Sequence, residues 1–170
     1  MQKLNLDLSI LPLDGDKKPR PFLQTEFTEK EGRFSPNGRW VAYSLNQSGR
    51  FEIYIRSSSP SAAQWQISKD GGMQARWRRD GKELFYLSLD GKMMAVPIQE
   101  AANAIEAGIA KPLFETKAKP STAAAEPPRS DDAVTPDGQR FLVLLPASAA
   151  TAATADPIHV ILNWPELLKK

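Results

Sequence analysis

Apolar and polar residues alternate with period two along much of the chain. Val41, Tyr43 and Leu45 form one face of RWVAYSLN, and Phe51, Ile53 and Ile55 form one face of FEIYIR. Such alternation predicts strands with one face turned inward. KELFYLSL and QRFLVLLP read as further strands, the second almost continuously apolar from Phe141 to Leu145, as expected where both faces are covered. Near the N-terminus, Leu4, Leu6, Leu8 and Ile10 alternate with Asn5, Asp7 and Ser9, which reads as a strand and interrupts any signal-peptide core. Between the strands stand Asn37-Gly38, Asp80-Gly81, Asp90-Gly91 and Asp137-Gly138, dipeptides that favour hairpin turns. The pattern predicts consecutive antiparallel hairpins.

These hairpins repeat. Gly38 and Gly81 are 43 residues apart, Phe22 and Trp65 again 43, and Gly49 and Gly91 42. Gly138 follows Gly81 by 57, so the last unit carries an insertion. Four strands in about 40 to 45 residues is the spacing of propeller blades. The predicted fold is all-β, a single partial propeller domain over residues 1–170 with three to three and a half four-stranded antiparallel blades. Lettering strands a to d from the axis outward, residues 4–26 supply c and d. Residues 32–69 and 73–117 supply full sets, and 131–164 supply a, b and c, the last being IHVILNW. The expected repeat turns are Pro36, Asn37 and Gly38, then Asp80 and Gly81, then Pro136, Asp137 and Gly138. Residues 118–130 read as a linker within a mobile Ala, Pro and Ser-rich stretch beginning at 117, and 146–157 as a second such loop. IQEAANAIEAGI, 98–109, is the one helix candidate, with Ile98, Ala102 and Ile105 on one face.

Composition changes the picture mainly by exclusion. The 41% hydrophobic content with the 10 glycines added comes to roughly 47% apolar, that of an ordinary globular chain. Fifteen basic and twelve acidic residues lie in 1–100, seven and eight in 101–170, so neither half is a basic nucleic-acid arm or an acidic tail. No nucleic-acid partner is expected. Zero cysteines exclude a disulfide scaffold, a thiolate metal site and a cysteine nucleophile. No continuous apolar run approaches the roughly 18 residues of a membrane-crossing helix.

Candidate chemistry is sparse. No Gly-x-Ser-x-Gly elbow is present, and the single histidine, His159, has no second ligand or base in its segment. Asp14 with Asp16 and Asp131 with Asp132 lack the spacing of a calcium loop and read as turn carboxylates. Arg76, Trp77, Arg78 and Arg79 form the best basic-aromatic cluster, compatible with an anionic ligand or a stacked base. Their place at an a-to-b turn fits a solvated strand end better. Trp40, Trp65 and Trp164 follow the repeat and fit blade packing rather than a sugar-binding stripe. No catalytic residue, metal or cofactor is expected.

RFSPNGRWVAYS, RWRRDGKELFYLS and VTPDGQRFLVL resemble the repeat of the TolB-type, WD40-like β-propeller family, with its turn of Ser-Pro-Asp-Gly type between a short strand and an aromatic-rich one. More narrowly, FLQTEF, QWQIS, LFET and VILNW resemble the C-terminal propeller region of bacterial membrane-anchored serine/threonine kinases. The resemblance implies a non-catalytic binding or sensing module, periplasmic or extracytoplasmic within a full-length protein. The compartment of this chain itself stays unassigned. The kinase's His-Arg-Asp and Asp-Phe-Gly motifs and glycine-rich loop are missing here, so kinase activity is not implied. An accessory substrate-gating propeller of a hydrolase, or a remnant of a longer sensor kinase, are the alternatives. The first unit lacks a and b and the last lacks d. This predicts exchange between two chains, a homodimer closing a six-bladed ring, with loops or channel mouth binding a protein or small ligand.

Overall fold

The computed structural model describes residues 5–59, 63–101, 103–116, 118–123 and 132–144. Thirteen strands and no helix are found among them. β1 (Leu8–Ile10) pairs with β2 (Arg20–Leu23) as unit 1. β3 (Glu29–Phe34), β4 (Trp40–Leu45), β5 (Glu52–Ser57) and β6 (Gln64–Gln66) lie in chain order as unit 2. Unit 3 holds β7 (Met73–Trp77), β8 (Glu83–Leu87) and β9 (Lys92–Glu100), and its outer edge is shared by β10 (Ile105–Ala107) and β11 (Lys111–Glu115), both paired with β9. β12 (Asp132–Val134) and β13 (Phe141–Val143) form unit 4. Every pairing is antiparallel. The described strands therefore fall two, four, five and two per unit, where two, four, four and three were expected.

The extra strand replaces the helix candidate of 98–109. β9 runs to Glu100, the chain turns with the Ala101 N–H donating to the Ala104 carbonyl at 3.0 Å, and β10 returns with Ala107 opposite Ile98. Ile98 and Ile105 thereby enter the core between units 2 and 3. Burying each is worth on the order of 1.5–3 kcal/mol, more than the few tenths per residue at stake in helix propensity. The expectation of a mobile loop over 117–130 is also corrected in its first part. Ala118 and Pro120 are buried, and the Lys30 ammonium donates to the Ala123 carbonyl at 2.5 Å. The expected last strand, 158–164, with His159 and Trp164, lies outside the described residues, as do Asp131 and the loop 146–157.

Alternation sends successive side chains of each strand to opposite neighbours, and three seams result. Val41, Tyr43 and Leu45 of β4 face unit 1 and pack with Leu8, Phe22 and Leu23. Trp40 and Ala42 of the same strand face unit 3, where Ile53, Ile55, Leu84, Tyr86, Val96 and Ile98 complete the largest cluster. Phe85, Met93 and Ala95 face unit 4 and meet Val134, Phe141 and Val143, the Phe85 and Phe141 rings lying edge to face at 5.0 Å. β4 is buried along its whole length because both of its faces are used.

One repeated device carries no glycine signature. Glu31 and Gln74, 43 residues apart, both adopt left-handed φ, 59° and 60°, at register breaks in the inner strands β3 and β7. Such a residue costs about 1–2 kcal/mol, and a bulge of this kind bends the strand that carries it. Both are buried and bonded: the Ser44 hydroxyl and the Gln74 backbone N–H donate to Glu31 Oε2 at 3.0 and 2.7 Å. One carboxylate thus ties the unit 2 bulge to the unit 3 bulge.

Candidate functional site

The repeat turns form a polar rim along one end of the sheets. In unit 2 the Ser35 hydroxyl donates to Asn37 Oδ1 at 2.7 Å and accepts from the Trp40 N–H at 3.0 Å, while the Arg39 N–H donates to Asn37 Oδ1. Unit 4 repeats this with Thr135 and Asp137, whose carboxyl is held below its ordinary value by the Thr135 hydroxyl first and the Gln139 N–H second. A hydroxyl followed two positions later by Asn or Asp satisfies the turn's own backbone donors, and Gly38, Gly81 and Gly138 supply the left-handed φ of 71–74° that closes it.

Unit 3 departs from this. Arg78 stands where the others have a hydroxyl, and its guanidinium donates to both Asp80 oxygens at 2.9 Å and to Glu83 Oε2 at 2.8 Å. The Arg78 bonds lower the Asp80 carboxyl to about 2, with help from the Lys82 N–H. Arg78 also lies against Gly138, so it serves the seam to unit 4. Trp77 points the other way, its indole N–H donating to the Arg33 carbonyl at 3.2 Å and its ring packing on the main core. Arg76 is half-buried and donates to the Ala75 carbonyl at 2.9 Å, and Arg79 is exposed in the turn, its backbone N–H donating to the Pro136 carbonyl at 3.3 Å. The four residues do not gather into one patch, because the chain leaving β7 turns Trp77 toward Arg33 of unit 2 and Arg78 toward Gly138 of unit 4.

Two grooves open beside the rim and the seams. One of about 480 Å³ is lined by Asn37, Arg39, Trp40 and Ser57–Ser59, and the Glu100 carboxylate beside it accepts from Asn37 at 3.0 and 3.1 Å and from Arg39 at 3.4 Å. Another, of about 720 Å³, lies between units 2 and 3 and is lined by Lys69, Asp70, Tyr86, Asp90, Lys92 and Ile109. Burial pushes the Tyr86 phenol up to about 12, with smaller contributions from the charges of Glu52, Asp70 and Asp90.

Sequence reasoning missed three buried carboxylates. Glu52 accepts from Arg50 Nε at 2.7 Å, from the Gly71 N–H at 2.9 Å and from the Ser68 hydroxyl, and so fastens the crossover from β6 to β7. Glu31 links the two bulges, and burial pushes its carboxyl up against the pull of the Gln74 and Ser44 bonds. Glu29 begins β3 with its side chain enclosed. The 43-residue register pairs Glu31 with Gln74, the one signal that marks any of them. Asp16 forms a surface pair with Arg20 at 3.3 Å. Among the described residues no three His, Cys, Asp or Glu side chains gather as metal ligands, and no helix is long and apolar enough to cross a membrane.

Neither a protein-family model nor a curated protein sequence matches the chain. Solved structures do. A TolB crystal structure from Acinetobacter baumannii aligns over 74% of this chain with a TM-score of 0.51 at 15% identity. A protein assigned as TolB from Agrobacterium tumefaciens aligns over 56% of the chain and 38% of its own length, at 13% identity and a TM-score of 0.43. This chain spans 28% of the length of the A. baumannii TolB. The likeness to that protein is one of fold, and the chain is an open set of antiparallel sheets of TolB-like propeller type.

Proposed function

We propose that the chain is a non-catalytic propeller module that binds a protein partner through the outer face of unit 4. The observation that carries this reading is the two-sidedness of β13. Phe141 packs into the unit 3 seam, while Leu142 and, just beyond the strand, Leu144 are 75% and 67% exposed. Large apolar residues left in water beside a packed seam mark a docking face. The TolB-like fold and the resemblance to the sensor region of bacterial membrane-anchored kinases support a role in recognition within an extracytoplasmic assembly.

The partner that fits is a second copy. β12 and β13 form an inner pair, β1 and β2 form an outer pair, and unit 2 exemplifies the complete four-stranded blade that the two pairs would build together. Two chains exchanging these pairs head to tail form a six-unit ring without ragged edges. Light scattering on the purified chain tests this: the wild type is expected to be dimeric at micromolar concentration and the double variant Leu142→Asp, Leu144→Asp monomeric. A wild type that remains monomeric throughout overturns the reading.

A further inference from the structure

Glu29 stands at the seam between units 1 and 2, with its side chain 1% exposed. Its Oε1 accepts from the Thr25 hydroxyl at 2.5 Å, and its Oε2 is enclosed with no donor in reach. A buried carboxylate oxygen without a partner is costly, and the group relieves that cost by binding a proton or a cation. What faces Glu29 is another acid. The Glu29 N–H donates to the Leu6 carbonyl at 2.8 Å, which sets Asp7, the next residue, beside it, and the Asp7 carboxylate is near enough to act on the Glu29 carboxyl. Asp7 Oδ2 in turn accepts from Gln24 Nε2 at 3.1 Å.

We propose that Glu29 and Asp7 share one proton, donated from Glu29 to Asp7, so that the docking of unit 1 on unit 2 is strengthened by acid and loosened at neutral pH. A cation fits less well. Thr25 already donates to Glu29 and accepts from the Phe27 N–H at 3.0 Å, and no third carboxylate joins the pair among the described residues. Calcium asks for six to eight oxygens. The other titratable neighbours are Tyr43 of β4, whose buried phenol feels the Glu29 charge, and Arg56 of β5, which acts on Tyr43. Lys30 and Glu31 follow Glu29 along β3 itself. Burial, and then the Asp7 charge, push the Glu29 carboxyl above its ordinary value against the Thr25 bond.

The sign follows from that direction. The folded chain holds this proton more tightly than the unfolded chain, so the contribution is full below the unfolded value and is lost as pH rises through the folded one. Loss loosens the seam over Val41, Tyr43 and Leu45, giving the module a second apolar face that opens with pH. Glu29→Gln supplies a permanent donor to Asp7. Its melting temperature relative to wild type should rise by about 2–4 °C between acid and neutral pH, and Asp7→Asn should behave alike. The direct readout in the intact chain is the carboxyl-carbon titration of Glu29 by NMR, expected above that of an unfolded glutamate. A midpoint at or below that value, or a variant-to-wild-type difference that does not change with pH, overturns the shared proton. So does calcium that raises the wild-type melting temperature at neutral pH but not that of Glu29→Gln, which would assign the pair to a cation.

Discussion

Ala42, Phe85 and Leu142 hold the same place in three successive units, each four residues after its turn glycine. Ala42 and Phe85 are 0% and 2% exposed because each faces the next sheet in the chain, whereas Leu142 is 75% exposed. The residues before them, Val41, Leu84 and Phe141, all face the preceding unit. Among the described residues, the same local sequence pattern is thus a two-sided core strand in the middle of the array and a one-sided strand at unit 4. Burial in this fold is set by what stands next to a sheet, and an outer face keeps the apolar character of an inner one.

The largest expected effect tests that contrast. Phe85→Ala should cost about 3–5 kcal/mol of folding stability, while Leu142→Ala should stay within about 0.5 kcal/mol in the isolated chain, as urea unfolding at low protein concentration will measure. Equal losses would mean that unit 4 is covered on both sides.

The turns sharpen the comparison next. Gly81 has φ +73° with open space around it, the nearest atom to an added Cβ being Glu100 Oε1 at 3.8 Å. Gly138 has φ +74°, but an added Cβ would stand 3.0 Å from Phe85 Cζ and from Arg78 Cδ. Gly81→Ala is expected to cost about 1–2 kcal/mol from backbone strain alone. Gly138→Ala should cost more, since it also crowds the seam between units 3 and 4. Calorimetric melting that ranks them in the opposite order would detach the unit 4 turn from that seam.

The smallest effect belongs to the rim. Asp80, lowered to about 2 by Arg78, contributes stability above its unfolded value that is lost as pH falls through the folded one. Arg78→Met should therefore lose its deficit against wild type as acid is added, with a shift modest for so exposed a pair. A deficit unchanged down to about pH 2 would assign the role of Arg78 to packing against Gly138.

The legible parts of the fold were the local ones. Asn37-Gly38, Asp80-Gly81 and Asp137-Gly138 declare their turns because Asn or Asp followed by Gly satisfies a hairpin's own donors and dihedrals, and the 43-residue spacing orders them into units. The segment 98–109 misled because what decides it is a seam: Ile98 and Ile105 join a core cluster that unit 3 shares with unit 2. The bulges at Glu31 and Gln74 are held by side-chain bonds between units rather than by glycine, so no single residue announces them. The separation of Trp77 from Arg78 was in the alternation all along, since successive residues at a strand's end still face opposite ways. The buried acids Glu29 and Glu52 were hidden because charge patterning alone says nothing of which end of a strand a neighbouring sheet will cover.

The chain contains no cysteine, so single thiols report directly on the two faces being compared. Alkylation rates of Ala42→Cys and Leu142→Cys, measured from low to high micromolar protein, test the account most directly. The thiol at 42 should be protected at every concentration, and the thiol at 142 should react like a free thiol when dilute and slow as concentration rises. Equal protection at both positions, or a rate at 142 independent of concentration, would contradict it.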